Sequence, residues 1–183
     1  MTREEMQQLA VNSQAGSTKA FELLVVELQP LIFRLAFRLL CSEDDAKDAV
    51  QETFIRVWQR LNRYNPQYLF STWVYKIAVN LCYDRLRAAK QLPKRENCSV
   101  ASWEENISLQ SDAEAALINR ELGEYIAHFT AGLTPKQKLV FTLRDVQGFG
   151  AEEVEKITGL SPEKIKSNLY LARKYIREKI VRI

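Results

Sequence analysis

Between Asp45 and Ile55 lie polar side chains whose types suit binding and whose spacing places them together. Asp48, Gln51, Glu52 and Ile55 step by 3, 1 and 3, and at about 100° per residue those steps make one stripe on a helix. Carboxylates beside an amide can dock a basic partner helix through charge-assisted hydrogen bonds. A solvated helix face looks the same, and spacing alone does not separate the two. Toward the other end, Lys164, Lys166, Ser167, Asn168, Leu171, Arg173 and Lys174 crowd a stretch that from Leu160 onward holds 7 basic and 2 acidic residues. Lysines hold phosphates, and Ser167 and Asn168 could reach base edges, although a plain amphipathic surface helix would carry the same lysines. Between these two groups, Lys76, Asn80, Tyr83, Arg85 and Arg87 follow a loop that contains Tyr64, Asn65 and Tyr68. Basic side chains mixed with aromatic rings suit unstacked single-stranded bases, because charge follows the backbone while rings stack on bases.

Reactive constellations are missing from the sequence. His128 is the only histidine, and Cys41, Cys82 and Cys98 are odd in number and without C-x-x-C spacing. That argues against a disulfide framework, a zinc site and a histidine–carboxylate pair. No catalytic residue, no metal and no cofactor is expected, so the chain is read as a binding protein and not an enzyme.

These groups need elements to position them. Six glycines and five prolines in 183 residues favour long helices over strands and turns. Phe21, Leu24, Leu28, Leu31, Leu35 and Leu39 recur at helical steps, with Pro30 expected to kink or end that helix. Ser42 offers an N-cap ahead of Glu43, Asp44 and Asp45, and Ala46, Val50, Phe54, Val57 and Leu61 continue a second helix. Asn62–Phe70 is a loop by its Asn-Pro pair. Ser71 or Thr72 is expected to cap a third helix to about Ala89, with Trp73 and Ile77 in the core. Residues 91–111 lose periodicity and read as a flexible linker, followed by a helix over Ala113–Phe129. Thr134 and Pro135 open another, ending near Gly148. A short helix over Ala151–Thr158, a turn at Gly159, and a last helix opened by Ser161 and Pro162 form the helix–turn–helix outline. On that last helix Ile165, Leu169, Ala172 and Ile176 should face inward.

The reading is all-α: two small helical domains, 1–90 and 113–183, joined by a linker at 91–112. Charge follows the same division. Residues 1–90 hold 12 basic and 10 acidic side chains, residues 91–130 hold 3 and 7, and residues 131–183 hold 11 and 6. Two basic modules around an acidic connector suit a polyanion partner, as would ordinary solvated surface. No stretch approaches 18 uncharged apolar residues, and MTREEMQQLA is too acidic and polar for a signal peptide. The chain is expected to stay in the cytoplasm, without membrane insertion.

Two motifs in order then carry a resemblance. Asp45-Ala46-Lys47-Asp48-Ala49-Val50-Gln51-Glu52-Thr53-Phe54 resembles the D-A-x-D-x-x-Q-E-x-F signature of extracytoplasmic-function (ECF, group 4) sigma factors of the sigma-70 family. Phe70-Ser71-Thr72-Trp73-Val74-Tyr75-Lys76-Ile77-Ala78-Val79-Asn80, then Asp84 and Arg87, looks like that family's next stretch. Residues 133–180 are similar to its second conserved region. The resemblance implies a sigma region 2 bundle and a sigma region 4 helix–turn–helix. It implies a chain that binds core RNA polymerase, directs it to promoters through −35 and −10 elements, and helps melt the DNA for transcription initiation. Carried over by position, Asp45, Asp48, Gln51, Glu52 and Ile55 would meet the β′ clamp helices. Tyr64, Asn65, Tyr68, Lys76, Asn80, Tyr83, Arg85 and Arg87 would meet the −10 element, with a flipped base held by the loop. Lys164, Lys166, Ser167, Asn168, Leu171, Arg173 and Lys174 would meet the −35 element. The β flap and an anti-sigma factor are further implied partners. Asn168 and Leu171 stand where many members carry Arg, and the loop NRYNPQYLF departs from the usual form. Two other classes compete. A helix–turn–helix regulator with an N-terminal interaction domain would explain the last helix but not Asp45–Phe54. A protein-interaction adaptor would not need the basic last helix.

Overall fold

The structure, a computed structural model, describes residues 1–89, 129–130 and 132–181. The linker and the helix expected from Ala113 lie outside the described residues, apart from helical Phe129 and Thr130. The first helix, α1 (Arg3–Gln14), was not read from the sequence, although its start signal is there. Thr2 and Glu5 form a reciprocal capping box, with Thr2 Oγ1 accepting from the Glu5 amide at 3.2 Å and Glu5 Oε2 from the Thr2 amide at 2.8 Å.

Helix α2 (Thr18–Leu40) runs unbroken through Pro30, which is exposed. Leu24, Leu28, Leu35 and Leu39 are buried as the periodicity requires, but past Pro30 Ile32 takes the inward place expected of Leu31. Phe33, Ala36 and Phe37 are buried as well, because α1 and the helices over Glu43–Gln59, Phe70–Ala89 and Pro135–Phe141 all cover this helix. It ends at Cys41, whose φ of 55° is left-handed and costs a non-glycine residue strain. Helix α3 (Glu43–Gln59) starts where Ser42 Oγ accepts from the Asp45 amide at 3.3 Å, with three acidic residues in the first turn. A 3₁₀ turn, Leu61–Arg63, closes it. Helix α4 (Phe70–Ala89) begins earlier than the expected caps, so Ser71 and Thr72 sit inside its first turn.

In the C-terminal unit, after helical Phe129 and Thr130, comes α5 (Pro135–Phe141), for which Thr134 and Gln137 form a second capping box; it passes into a π turn, Thr142–Val146. Helix α6 (Ala151–Thr158) stops at Gly159, whose φ of 68° needs a residue without Cβ strain. Helix α7 (Pro162–Ile180) follows from the Ser161 cap. Among the described residues every regular element is helical, and no helix is long and apolar enough to cross a membrane.

The two units pack against each other. Helix α4 meets α6, and α2 meets α5. Leu139, Val140, Leu143, Val154, Ile157 and Ile165 join the same buried cluster as the N-terminal core. Tyr75 and Phe149 meet edge to face at 4.8 Å, and burial pushes the Tyr75 hydroxyl up to about 12. Lys138, nearly buried, donates from Nζ to Cys41 Sγ at 3.1 Å across the seam. Helix α4 permits the packing of the two units because it is buried on two faces: Val74, Ile77, Ala78 and Leu81 on one, Thr72, Tyr75, Val79 and Cys82 on the other. Burial pushes the Cys82 thiol up to about 12, and Cys98 lies outside the described residues.

Leu28 is fully buried at the centre of the N-terminal core. Leu28→Ala should lower unfolding free energy by about 2–5 kcal/mol, the transfer and cavity cost of a buried leucine. Urea denaturation checks it, and a loss under 1 kcal/mol would mean that this core is not close-packed.

Candidate polymerase and promoter interface

Three polar surfaces stand on three different helices. On α3, Asp48 and Gln51 are exposed, Glu52 is half-buried and Ile55 is exposed. The opposite faces of the helix hold Ala46, Ala49, Val50, Phe54 and Val57 in the core, so the polar stripe is outward by necessity. Glu52 pairs with Arg56 one turn on at 2.7 Å. Asp45 and Asp48 lie 3.9 and 3.7 Å from Arg85 of α4, which also donates to the Asp45 carbonyl at 3.4 Å. Arg85, expected at the −10 element, is therefore engaged by the acidic stripe. The sequence reading overlooked Trp58. It is exposed one step beyond Ile55 and rests against Phe21 of α2, with ring centres 4.8 Å apart. The step of three from Ile55 was the available signal.

On α4, Lys76, Asn80, Tyr83 and Arg87 step by 4, 3 and 4 and form one outward line. Lys76, Asn80 and Arg87 are exposed, whereas Tyr83 is half-buried, its hydroxyl enclosed and pushed up to about 12 by burial. In the preceding loop, Tyr68 is 56% exposed and Asn65 is exposed, its Oδ1 accepting from the Gln67 amide at 3.0 Å. Tyr64 corrects the sequence reading. Its ring is 4% exposed and packs on Phe70 at 5.1 Å and Trp73 at 5.3 Å, and its hydroxyl donates to the Tyr68 carbonyl at 2.5 Å. Burial raises its hydroxyl above the ordinary range. A ring enclosed in this way shapes the loop and is not offered to a base. Ile77 is buried and Trp73 packs in the same aromatic cluster, as expected.

On α7, Ile165 and Ala172 are buried, and Leu169 and Ile176 are half-buried, which is the inward face the spacing required. Lys164, Lys166, Ser167, Leu171 and Lys174 are exposed, together with Tyr170 at 66%. Tyr170 has the position of a contact residue but was not among those expected. Three expected contacts have partners within the chain, the loosest being Lys174, whose Nζ lies 4.0 Å from Glu178. Arg173 makes a bidentate pair with Asp145 at 2.6 and 2.8 Å, which raises the guanidinium further. Asn168 Nδ2 donates to the Lys164 carbonyl at 2.7 Å. Glu163, in the first turn of α7, is held below the usual carboxylate range by its own backbone amide and the Ser161 hydroxyl. Among the described residues no cluster of His, Cys, Asp or Glu could hold a metal ion.

Comparison with known proteins agrees with this geometry. Residues 24–91 match the family model described as Sigma-70 region 2, and residues 124–176 match Sigma-70, region 4. The RNA polymerase sigma-H factor of Pseudomonas aeruginosa is 29% identical over 182 residues, covering 96% of this chain and 94% of that protein. The ECF RNA polymerase sigma-E factor of Escherichia coli K12 is 30% identical over 179 residues, covering 95% and 93%. In fold, the chain is similar to CnrH in complex with the cytosolic domain of CnrY, with a TM-score of 0.72 at 22% identity over 96% of this chain and 97% of that one. It is also similar to the sigma factor RpoE in complex with the anti-sigma factor NepR from Bartonella quintana, with a TM-score of 0.65 at 20% identity over 88% and 96%. Two region matches in the right order and full-length relatives at 30% identity lead to one conclusion: this chain belongs to the extracytoplasmic-function RNA polymerase sigma factors of the sigma-70 family.

Proposed function

We propose that the chain binds core RNA polymerase through α3, meets the −10 element with α4 and residues 61–69, and meets the −35 element with α7. The observation that carries this reading is that three polar surfaces, one per motif, are exposed on separate helices while the apolar sides of the same helices build the core. The acidic α3 stripe suits the β′ clamp helices, with Asp45, Asp48, Gln51, Glu52 and Ile55 as contacts. Lys76 and Arg87 of α4 follow a strand backbone, while Asn80 of α4 and Tyr68 of the preceding loop contact bases. Flipping a base costs a few kcal/mol, and binding must offset it, since no reaction supplies the energy. The protein acts by binding in the cytoplasm and catalyses no step of its own. Its working units are residues 1–90 and 113–183, with 91–112 as connector, and the C-terminal unit also meets the β flap. An anti-sigma factor is a further partner, in keeping with the Bartonella quintana sigma factor solved in complex with the anti-sigma factor NepR.

Run-off transcription with purified core polymerase and a pool of promoters tests the reading. Transcripts from a defined subset of promoters, dependent on added chain, are expected. A chain that fails to associate with core polymerase would refute the proposal outright.

A further inference from the structure

The loop between α3 and α4 has almost no regular structure, yet its backbone is held from outside by α1. Gln14 donates from Nε2 to the carbonyls of Leu61 and Tyr64, both at 2.7 Å. Gln7 donates from Nε2 to the carbonyl of Pro66 and, at 3.1 Å, to that of Tyr68. A side-chain amide has two N–H donors, so each glutamine spends both on loop carbonyls. The two residues are seven apart, two turns along one face of α1, which spreads the four contacts over the whole loop. The Tyr68 carbonyl also accepts from the Tyr64 hydroxyl at 2.5 Å, which occupies both of its lone pairs. The side chains left outward are those of Asn62, Arg63, Asn65, Pro66, Gln67 and Tyr68.

We infer that α1 positions the −10 reading loop: Gln7 and Gln14 set the backbone shape of residues 61–69, and with it the preferred base, without themselves touching DNA. The inference rests on the proposal that this loop meets the −10 element. Helix α1 lies outside the matched region 2, residues 24–91. The physical reason for a brace is preorganisation. A loop fixed in advance loses little freedom on binding and presents one pocket, whereas a loose loop accommodates several bases.

The test uses the full chain assembled with core polymerase and promoters whose −10 positions are randomised while the −35 element is constant. Gln7→Met with Gln14→Met keeps side-chain length and removes all four donors. Wild-type protein should prefer one base at the captured position by about tenfold or more, the size of one base contact. The double variant should reduce that preference to about threefold or less, with capture of core polymerase and −35 preference unchanged. Gln7→Met with Gln14→Lys returns donors at one of the two positions and should recover part of the preference, which a merely structural loss of packing would not allow. Tyr68→Ala separates the two ideas. If it leaves the −10 preference untouched, the loop is not at the −10 element and the inference falls with that reading. If Tyr68→Ala changes the preference but both glutamine variants keep the wild-type pattern, the role given to α1 alone is overturned. Should the double variant fold poorly, Gln7→Met by itself, at the more open end of the brace, must still shift the preference.

Discussion

Reversing Asp48 and Glu52 to arginine together should abolish capture of core RNA polymerase while leaving the fold intact. Both side chains are solvent-facing, at 68% and 39% exposure, so the charge change does not touch the core. Among the described residues they meet partly exposed arginines, Asp48 near Arg85 at 3.7 Å and Glu52 against Arg56 at 2.7 Å. Exposed pairs of this kind contribute about 0–1 kcal/mol each, which is the stability cost expected of the variant. At a partner interface, removing one member of a buried charge pair costs about 2–5 kcal/mol, and like charges brought together cost more. Two reversals on adjacent turns should therefore weaken association at least a thousandfold, since each 1.4 kcal/mol is a factor of ten. Pull-down of core polymerase, alongside thermal melting of the free chain, reads both quantities. Undiminished capture by a folded double variant would remove α3 as the docking face. Trp58→Ala should add to the effect of either single reversal, because an exposed aromatic at the edge of a charged stripe is a typical binding anchor.

Replacing Lys164, Lys166 and Lys174 by alanine should produce the second large effect. All three are exposed on α7, around an inward face anchored by Ile165 and Ala172, so their loss does not disturb packing. Each phosphate contact contributes about 0.9 to the slope of log affinity against log salt. The triple variant should thus lower that slope by about 2.7 units if all three lysines meet phosphates. Binding should weaken on every sequence alike, because phosphates carry no base information. Leu171 gives the opposite signature. It is 44% exposed, where an apolar side chain gains little unless it meets a thymine methyl. Leu171→Arg should raise overall affinity and blunt the −35 preference. Holoenzyme binding to a randomised −35 library at two salt concentrations measures both. An unchanged salt slope in the triple variant would place α7 away from DNA. Asn168 is a weaker candidate for base reading than its position suggested, because its amide is already bonded to the Lys164 carbonyl and must leave it to reach a base.

Much of the chain was legible because its signals are local. The Ser42, Thr134 and Ser161 caps, Pro135 and Pro162 at first helical positions, and Gly159 at the turn each act within one turn of helix. Periodicity placed Leu24, Leu28, Leu35 and Leu39 inward and Lys164, Lys166 and Lys174 outward without reference to any other element. Helix α1 was equally legible by its capping box, but its weak apolar pattern hid it.

Contacts between distant parts of the chain were not readable in this way. Composition made Tyr64 a stacking ring, and only the approach of Phe70 and Trp73 buries it. Charge and spacing put Arg85 with the −10 group, and only the crossing of α3 and α4 turns it toward Asp45 and Asp48. Arg173 looked like a free cation until the π turn brought Asp145 to it. The sequence by itself determined an all-helical chain, the Ser42, Thr134 and Ser161 caps, the faces of α3 and α7, and the family. The tertiary structure decided which polar residues on those faces remain available, that Gln7 and Gln14 reach the loop, and that the two units share a core through Tyr75 and Phe149. The physical reason is that helix formation depends on neighbours three and four residues away, whereas burial and pairing depend on groups brought together from tens of residues apart.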